Sequence, residues 1–363
     1  MHFFPAAVFS CVLLSAAYGA GSFSARLRVQ FGEEYDSNSG RVNQPVVADG
    51  LHRMLLDLES RWSPAEGHRI DFDAMAGGKV FYSQHDENLM ASSVHARWSM
   101  VLSRHLDIAV SAGWQETFLA VHDRDYRLVD ARMGLVWRSN AATVVGWFGG
   151  RWFHFKPDDF ADYRLKLSNA GPSAGVELRI AASSISQVYF HYVYGLSLYG
   201  DRALYLDGRT PVDSASNRLD HLHRGGIGVR YRAKLAASVH MVLNVGFSAS
   251  LVDSNSYGSS AIRQRVHAML GLALPAGLRL QLAGSLQFAE YQDGIYLEGD
   301  FYQPEADENE NALVARVLVP LWRELDLVVQ AGWYRNDFQA TEPKIDNFER
   351  ITVMGGLSWT AEF

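Results

Sequence analysis

FERITVMGGLSWTAEF, residues 348–363, alternates with a period of two. Ile351, Val353, Gly355, Leu357, Trp359, Ala361 and Phe363 share one parity, and Arg350, Thr352, Gly356, Ser358, Thr360 and Glu362 fill most of the other. Successive side chains of a β-strand point to opposite faces, so this stretch reads as one long strand with an apolar face and a polar face.

The same rhythm runs through the chain upstream. Period-2 segments are expected at Phe23–Asp36, Leu51–Trp62, Arg69–Gln84, Asn88–Ser103, His105–Val121, Asp125–Arg138, Ala142–Lys156 and Asp162–Ile180. They continue at Ser184–Tyr199, Leu222–Lys234, Ser238–Val252, Ala261–Leu274, Gly277–Tyr291, Asn311–Leu321, Glu324–Phe338 and Phe348–Phe363, which makes 16. Connections at Ser63–His68, Arg104, Ser139–Ala141, Ala181–Ser183, Leu235–Ala237, Pro275–Ala276 and Trp322–Arg323 are brief. Those at Ser37–Gly50, Gly200–His221, Asp253–Ser260, Gln292–Glu310 and Gln339–Asn347 are longer and polar, with short exceptions around His85, Asp123 and Pro157. Short turns alternating with long loops, on an even number of long strands, predict an all-β fold. It is a single transmembrane antiparallel β-barrel of about 16 strands, with 14 to 18 admissible and both termini periplasmic. A secreted sandwich or propeller would use strands of about 5–6 residues. Trp62, Trp137, Trp322 and Trp359 fall near the turn ends and Trp114, Trp152 and Trp333 toward the loop ends, as interfacial girdles require, while Trp98 and Trp147 fit less well.

Two features carry a resemblance. The strand ending on Phe363 resembles the closing strand of bacterial outer-membrane β-barrels, which implies handling by a barrel-assembly machinery and a Gram-negative outer membrane. Glu33-Glu34-Tyr35-Asp36-Ser37-Asn38 looks like the segment that opens many porin-like barrels, some associated with exopolysaccharide secretion, and Asp253-Ser254-Asn255-Ser256-Tyr257-Gly258 repeats its flavour. The resemblance covers the mature chain and implies no particular substrate.

Residues 1–20, with an apolar core from Phe3 to Ala17 and small residues around Ala20, read as a secretory signal, leaving 21–363 for the barrel. The n-region has no Lys or Arg, which leaves open whether Met1 is the true start. The only cysteine, Cys11, lies in that core, so no disulfide or thiolate metal site is expected. Mean hydropathy is −0.09, and past the signal no apolar run reaches the roughly 18 residues of a helical span. Net charge −7 and pI near 6.0 argue against nucleic acid as a partner. Outer-membrane lipid and lipopolysaccharide are the expected surroundings, and a homo-oligomer stays open.

With the apolar parity outside, the other parity lines the interior. Strands ten to fourteen then supply Arg224, Arg230, Arg232, Arg263, Arg265, Arg279 and Arg316, with hardly an acid among them. Strands two and three supply Asp57, Glu59, Asp71 and Asp73, along with Arg53 and Arg61. These face each other across the barrel and are the expected pore-lining residues. One reading is a transverse field that sieves small polar solutes; the other is that these charges pair with neighbours and merely keep a polar interior solvated. His95, His191, His240 and His267 also fall inside, and His221 and His223 sit two apart at a loop exit. The carboxylates Glu298, Asp300, Glu305, Asp307, Glu308 and Glu310 match no calcium-loop pattern and read as a solvated acidic loop. No Gly-x-Ser-x-Gly, His-Glu-x-x-His or phosphate loop occurs, so no catalysis, cofactor or metal is expected. The expected function is a porin-like channel for small hydrophilic or anionic solutes. Alternatives are a polysaccharide export conduit, with Tyr189, Tyr291 and Tyr334 as stacking surfaces, or a closed anchoring barrel.

Overall fold

Sixteen antiparallel strands close into one barrel in the computed structural model, which describes residues 21–39, 46–120, 125–155, 168–203, 216–256, 260–291, 311–336 and 348–363. The strands are β1 (Ser22–Asp36), β2 (Asp49–Ser63), β3 (His68–Phe81), β4 (Leu89–Ser103), β5 (Leu106–Leu119), β6 (Tyr126–Arg138), β7 (Ala142–Phe155) and β8 (Asn169–Ala181). They continue as β9 (Ser186–Arg202), β10 (Asn217–Ala236), β11 (Val239–Ser254), β12 (Ala261–Ala273), β13 (Arg279–Tyr291), β14 (Asn311–Pro320), β15 (Leu325–Asn336) and β16 (Phe348–Glu362). Each strand pairs with its sequence neighbours, and β16 returns to β1 from Arg26↔Glu362 to Asp36↔Thr352.

All 16 expected strands are present, and apart from two starts every end lies within three residues of its expected place. β8 begins at Asn169 rather than Asp162; positions 162–167 lie outside the described residues. β10 begins at Asn217 rather than Leu222, so Asn-Arg-Leu-Asp-His, expected as loop, is strand. Its polar inward parity hid it, because Arg218 and Asp220 satisfy each other there. Residues 1–20 and the acidic stretch 292–310 also fall outside the described set.

Side chains on strands two or more apart meet only on the concave face, and this fixes inside from outside. Lys79 Nζ on β3 donates to Glu34 on β1 (2.7 Å), Arg151 Nη2 on β7 to Ser197 on β9 (2.8 Å), and Tyr189 Oη on β9 to Asn244 on β11 (3.1 Å). Carried round by the register, this parity puts Gln30 inside at 4 % accessibility and its neighbour Phe31 outside at 54 %. Between the two rims the outer face is largely apolar, with Leu56, Val110, Phe148, Val176, Ile227, Leu286 and Leu357 all exposed. Aromatics crowd both margins: Trp62, Trp137, Trp322 and Trp359 at the turn rim, and Trp114, Trp152 and Trp333 at the loop rim. Trp98 lies on the outer parity between them, and Trp147 points into the lumen.

Turns and strand ends use local chemistry. Ser139 Oγ accepts the Ala142 N–H (3.0 Å), and Ser183 Oγ accepts that of Ser186 (3.0 Å), so one hydroxyl device closes two hairpins. Ala276 and Gly277 take positive φ (58° and 78°) to reverse the chain between β12 and β13. At the loop rim the two Asp-Ser-Asn repeats do matching work. Asn38 Nδ2 donates to the Glu349 carbonyl on β16 (3.3 Å). Asn255 accepts the Leu219 N–H (2.8 Å) and donates to the Asn217 carbonyl on β10 (3.0 Å). Each Asn clamps the end of its strand to the neighbouring one.

Leu280 faces out between Leu272 and Val317, while Gln281 faces the lumen beside Arg316. Leu286→Arg, on the same outer face but in the middle of β13 opposite Val266, is therefore expected to cost roughly 2–4 kcal/mol in bilayer folding titrations, and Gln281→Arg much less. Equal costs at the two positions would show the parity assignment to be wrong.

Candidate functional site

The lumen wall is the site, and its polar lining divides into arcs. Register parity places Asp57, Glu59, Asp71 and Asp73 on the inner face of β2 and β3, with Glu59 directly opposite Asp73. Arg28 binds Asp57 (2.6 Å), Arg61 and Arg69 bind Asp71 (3.0 and 2.8 Å), and His95 Nδ1 stands 3.9 Å from Asp73. Above them the buried Glu34 holds both Arg53 and Lys79 (2.7 Å each). The acidic arc is thus dense but largely neutralised by cations on adjoining strands.

The arginines expected on strands ten to fourteen all lie on the inner parity, and the structure separates them into two groups. Arg279 pairs with Asp326 of β15, and Arg316 donates to Gln30 of β1 across the concave face. Asp326, on β15 beyond the five strands that supply these arginines, neutralises part of the flank and makes it less uniformly basic than strands ten to fourteen alone predict. Arg230 and Arg232 on β10 form no ion pair with any described residue. Arg224, Arg263 and Arg265 project from the same wall on β10 and β12, Arg263 being buried.

Two apolar inclusions interrupt this lining. Tyr126, Phe153 and Phe155, with Leu128, form a buried cluster on the inner face at the loop end of β6 and β7. The continuous apolar run Trp152-Phe153-His154-Phe155 gave no parity signal in the sequence. Leu318, Val328 and Met354 make a second cluster on β14 to β16. At the loop end of β9 and β10, Arg218 and Asp220 form a buried bidentate pair (2.6 Å and 3.0 Å) beneath Tyr199, whose ring centre lies 4.3 Å from the guanidinium. Ser254 Oγ donates to the same carboxylate (2.6 Å). Of the expected stacking tyrosines, Tyr334 already carries Arg350 on its ring at 4.4 Å, and the Tyr291 side chain lies outside the described set.

His221 and His223 lie not at a loop exit but within β10, on its outer face. Their Nδ1 atoms bond the hydroxyls of Tyr194 and Tyr192 (2.8 Å each). They belong to a polar ring outside the loop rim, with Glu33–His52 (2.7 Å), Glu116–Arg127 (2.8 Å) and Trp333–Glu349 (2.7 Å). Just beyond β3 in that ring, Tyr82 donates to Glu33, which pushes its phenol above the ordinary range. Among the described residues no group of three or more His, Cys, Asp or Glu is placed to hold a metal.

An apolar exterior with two aromatic margins, on a closed 16-strand wall with a polar interior, is the architecture of an outer-membrane β-barrel. No family model and no curated protein matches the sequence. The chain is similar to several solved structures. CdiB from Acinetobacter baumannii superposes with a TM-score of 0.51 at 10% identity, covering 93% of this chain and 60% of that one. Acinetobacter baumannii OccAB3 gives 0.47 at 10% identity, over 94% and 100% of the two chains. Salmonella typhi OmpF, in complex with daunomycin, gives 0.48 at 9%, over 93% and 97%.

The Arg218–Asp220 pair generates a stability prediction. Asp220→Ala removes the bidentate carboxylate from a buried guanidinium and should cost roughly 3–5 kcal/mol in urea titrations followed by heat-modifiable gel mobility. A loss below about 1 kcal/mol would mean that water reaches the pair freely.

Proposed function

We propose that this barrel is a porin-like channel giving small hydrophilic solutes, anions above all, a passive path across the outer membrane. The observation that carries the reading is the contrast between the two arcs. Asp57 and Asp71 of β2 and β3 are held by neighbouring arginines and Asp73 faces His95, whereas Arg230 and Arg232 on the opposite wall bind no described carboxylate. A barrel of 16 strands encloses a water-filled lumen, and unneutralised guanidinium groups there raise the local anion concentration. Selectivity is then set by lumen width and by this wall, without a catalytic step. The outer ring of His, Tyr, Glu and Arg side chains stands where lipopolysaccharide head groups would meet the protein.

The test is reversal potential across a planar bilayer holding the refolded protein in a salt gradient. Anion preference is expected for the natural sequence, and Arg230→Glu with Arg232→Glu should move the preference toward cations. A conducting barrel whose selectivity ignores both changes would remove β10 from the ion path. A correctly folded barrel that passes no current would instead favour a closed anchoring role.

A further inference from the structure

The inner face of β10 ends in three cations. Arg230, Arg232 and Lys234 alternate along the strand, and the chain turns into β11 just beyond them, so they lie at the turn mouth of the lumen. Alternate residues of a strand stand about 6.6 Å apart on one face, which spreads the three charges over about 13 Å. Arg230 is half-buried, while Arg232, Lys234 and His240, which faces Lys234 from β11, are exposed. Toward the loop rim of the same two strands, inward Leu222 and Val252 are buried. Accessibility on this wall thus increases toward the turns, and the three cations stand at its open end.

What sets this row apart is the lack of a counter-charge. The cross-strand neighbours of Arg230 are Gln187 of β9 and Asn244 of β11, that of Arg232 on β11 is Val242, and that of Lys234 is His240. No inward residue of β9 from Gln187 to Tyr199, or of β11 from His240 to Ser254, is a carboxylate. One strand further, Glu177 of β8 is taken by Arg179. Asn244 accepts the Tyr189 hydroxyl on Oδ1 (3.1 Å), and its amide N–H groups meet no described acceptor, so a neutral donor borders the cations. Like charges in a row repel one another, and an anion that touches two of them removes that repulsion while gaining charge-assisted hydrogen bonds. An anion with a single charged group makes one such contact, which at exposed side chains holds weakly. A molecule with two or three oxyanionic groups meets adjacent rungs together, its second contact forming at high effective concentration.

We infer that Arg230, Arg232 and Lys234, with Asn244 and His240 beside them, form a saturable binding site at the turn mouth for small anions that carry two or more phosphate or carboxylate groups. This rests on the channel reading and narrows its solute class.

The probes are tripolyphosphate and tricarballylate, with acetate as the single-charge comparison, added to single barrels in planar bilayers. At least one probe should interrupt the ionic current at millimolar concentrations, and acetate should need at least about tenfold more. Block by one probe alone supports the site and names its preferred group, phosphate or carboxylate. Arg230→Gln with Arg232→Gln should raise the half-blocking concentration at least about tenfold, whereas Arg230→Lys with Arg232→Lys, which keeps both charges, should retain most of the affinity. That rescue separates charge recognition from a change in the shape of the wall, and heat-modifiable mobility confirms that each variant is folded. A conducting barrel that neither probe blocks, block by acetate at the same concentration, or block indifferent to the paired Gln changes would each overturn the inference while leaving the channel intact. A barrel that conducts nothing defeats the channel reading instead. Calorimetric titration of both probes into the detergent-solubilised protein then decides the site: heat lost with the paired Gln changes supports it, and absence of heat from either probe in the natural sequence rejects it.

Discussion

Everything in this molecule depends on the hydrogen bonds between β1 and β16. Lipid offers no partner to a backbone N–H or C=O, so an open sheet of this size would leave two edges unsatisfied. Closure from Arg26↔Glu362 to Asp36↔Thr352 removes both edges at once. It also turns one parity of every strand toward hydrocarbon and the other toward an enclosed space. The period-2 pattern is the imprint of that single condition on the sequence.

The interior answers a different demand. Charged side chains in the lumen have water or one another, and many choose one another across one or two strands: Glu34 with Arg53 and Lys79, Asp57 with Arg28, Asp326 with Arg279. These ties brace the wall from within, as the apolar clusters at Phe153 and Met354 do by packing. What is left over from bracing is available for solutes. On that view Arg230 and Arg232 of β10 are distinctive because the cross-strand neighbours of Arg230, Gln187 and Asn244, are neutral where other arcs offer carboxylates.

The strand plan was legible because lipid enforces it residue by residue, as Phe348 to Glu362 shows most plainly. Legibility failed where that enforcement stops. Asn217 to His221 rises beyond the apolar band, so Leu219 alone marked its parity, and a buried ion pair holds it instead. Phe153 and Phe155 were indistinguishable from lipid-facing residues, since an inward cluster and an outward face are equally apolar. The inward parity of the candidate charges could be read from one strand at a time. Their pairing could not, because Arg316 meets Gln30 only after the chain has come full circle. The close approach of Trp147 to Gly175 left no local trace either, because the two are neighbours only through the β7–β8 register.

The Asn38 and Asn255 clamps have a consequence for how such a barrel changes over time. Each fixes the last rungs of its strand with side-chain bonds to the adjacent backbone, at the point where the chain leaves for the loop rim. Whatever is inserted beyond a clamp pulls on a secured seam, so a lengthened or replaced loop does not unzip the strands beneath it. The loops beyond the clamps can therefore be lengthened or exchanged while the wall beneath them keeps its register.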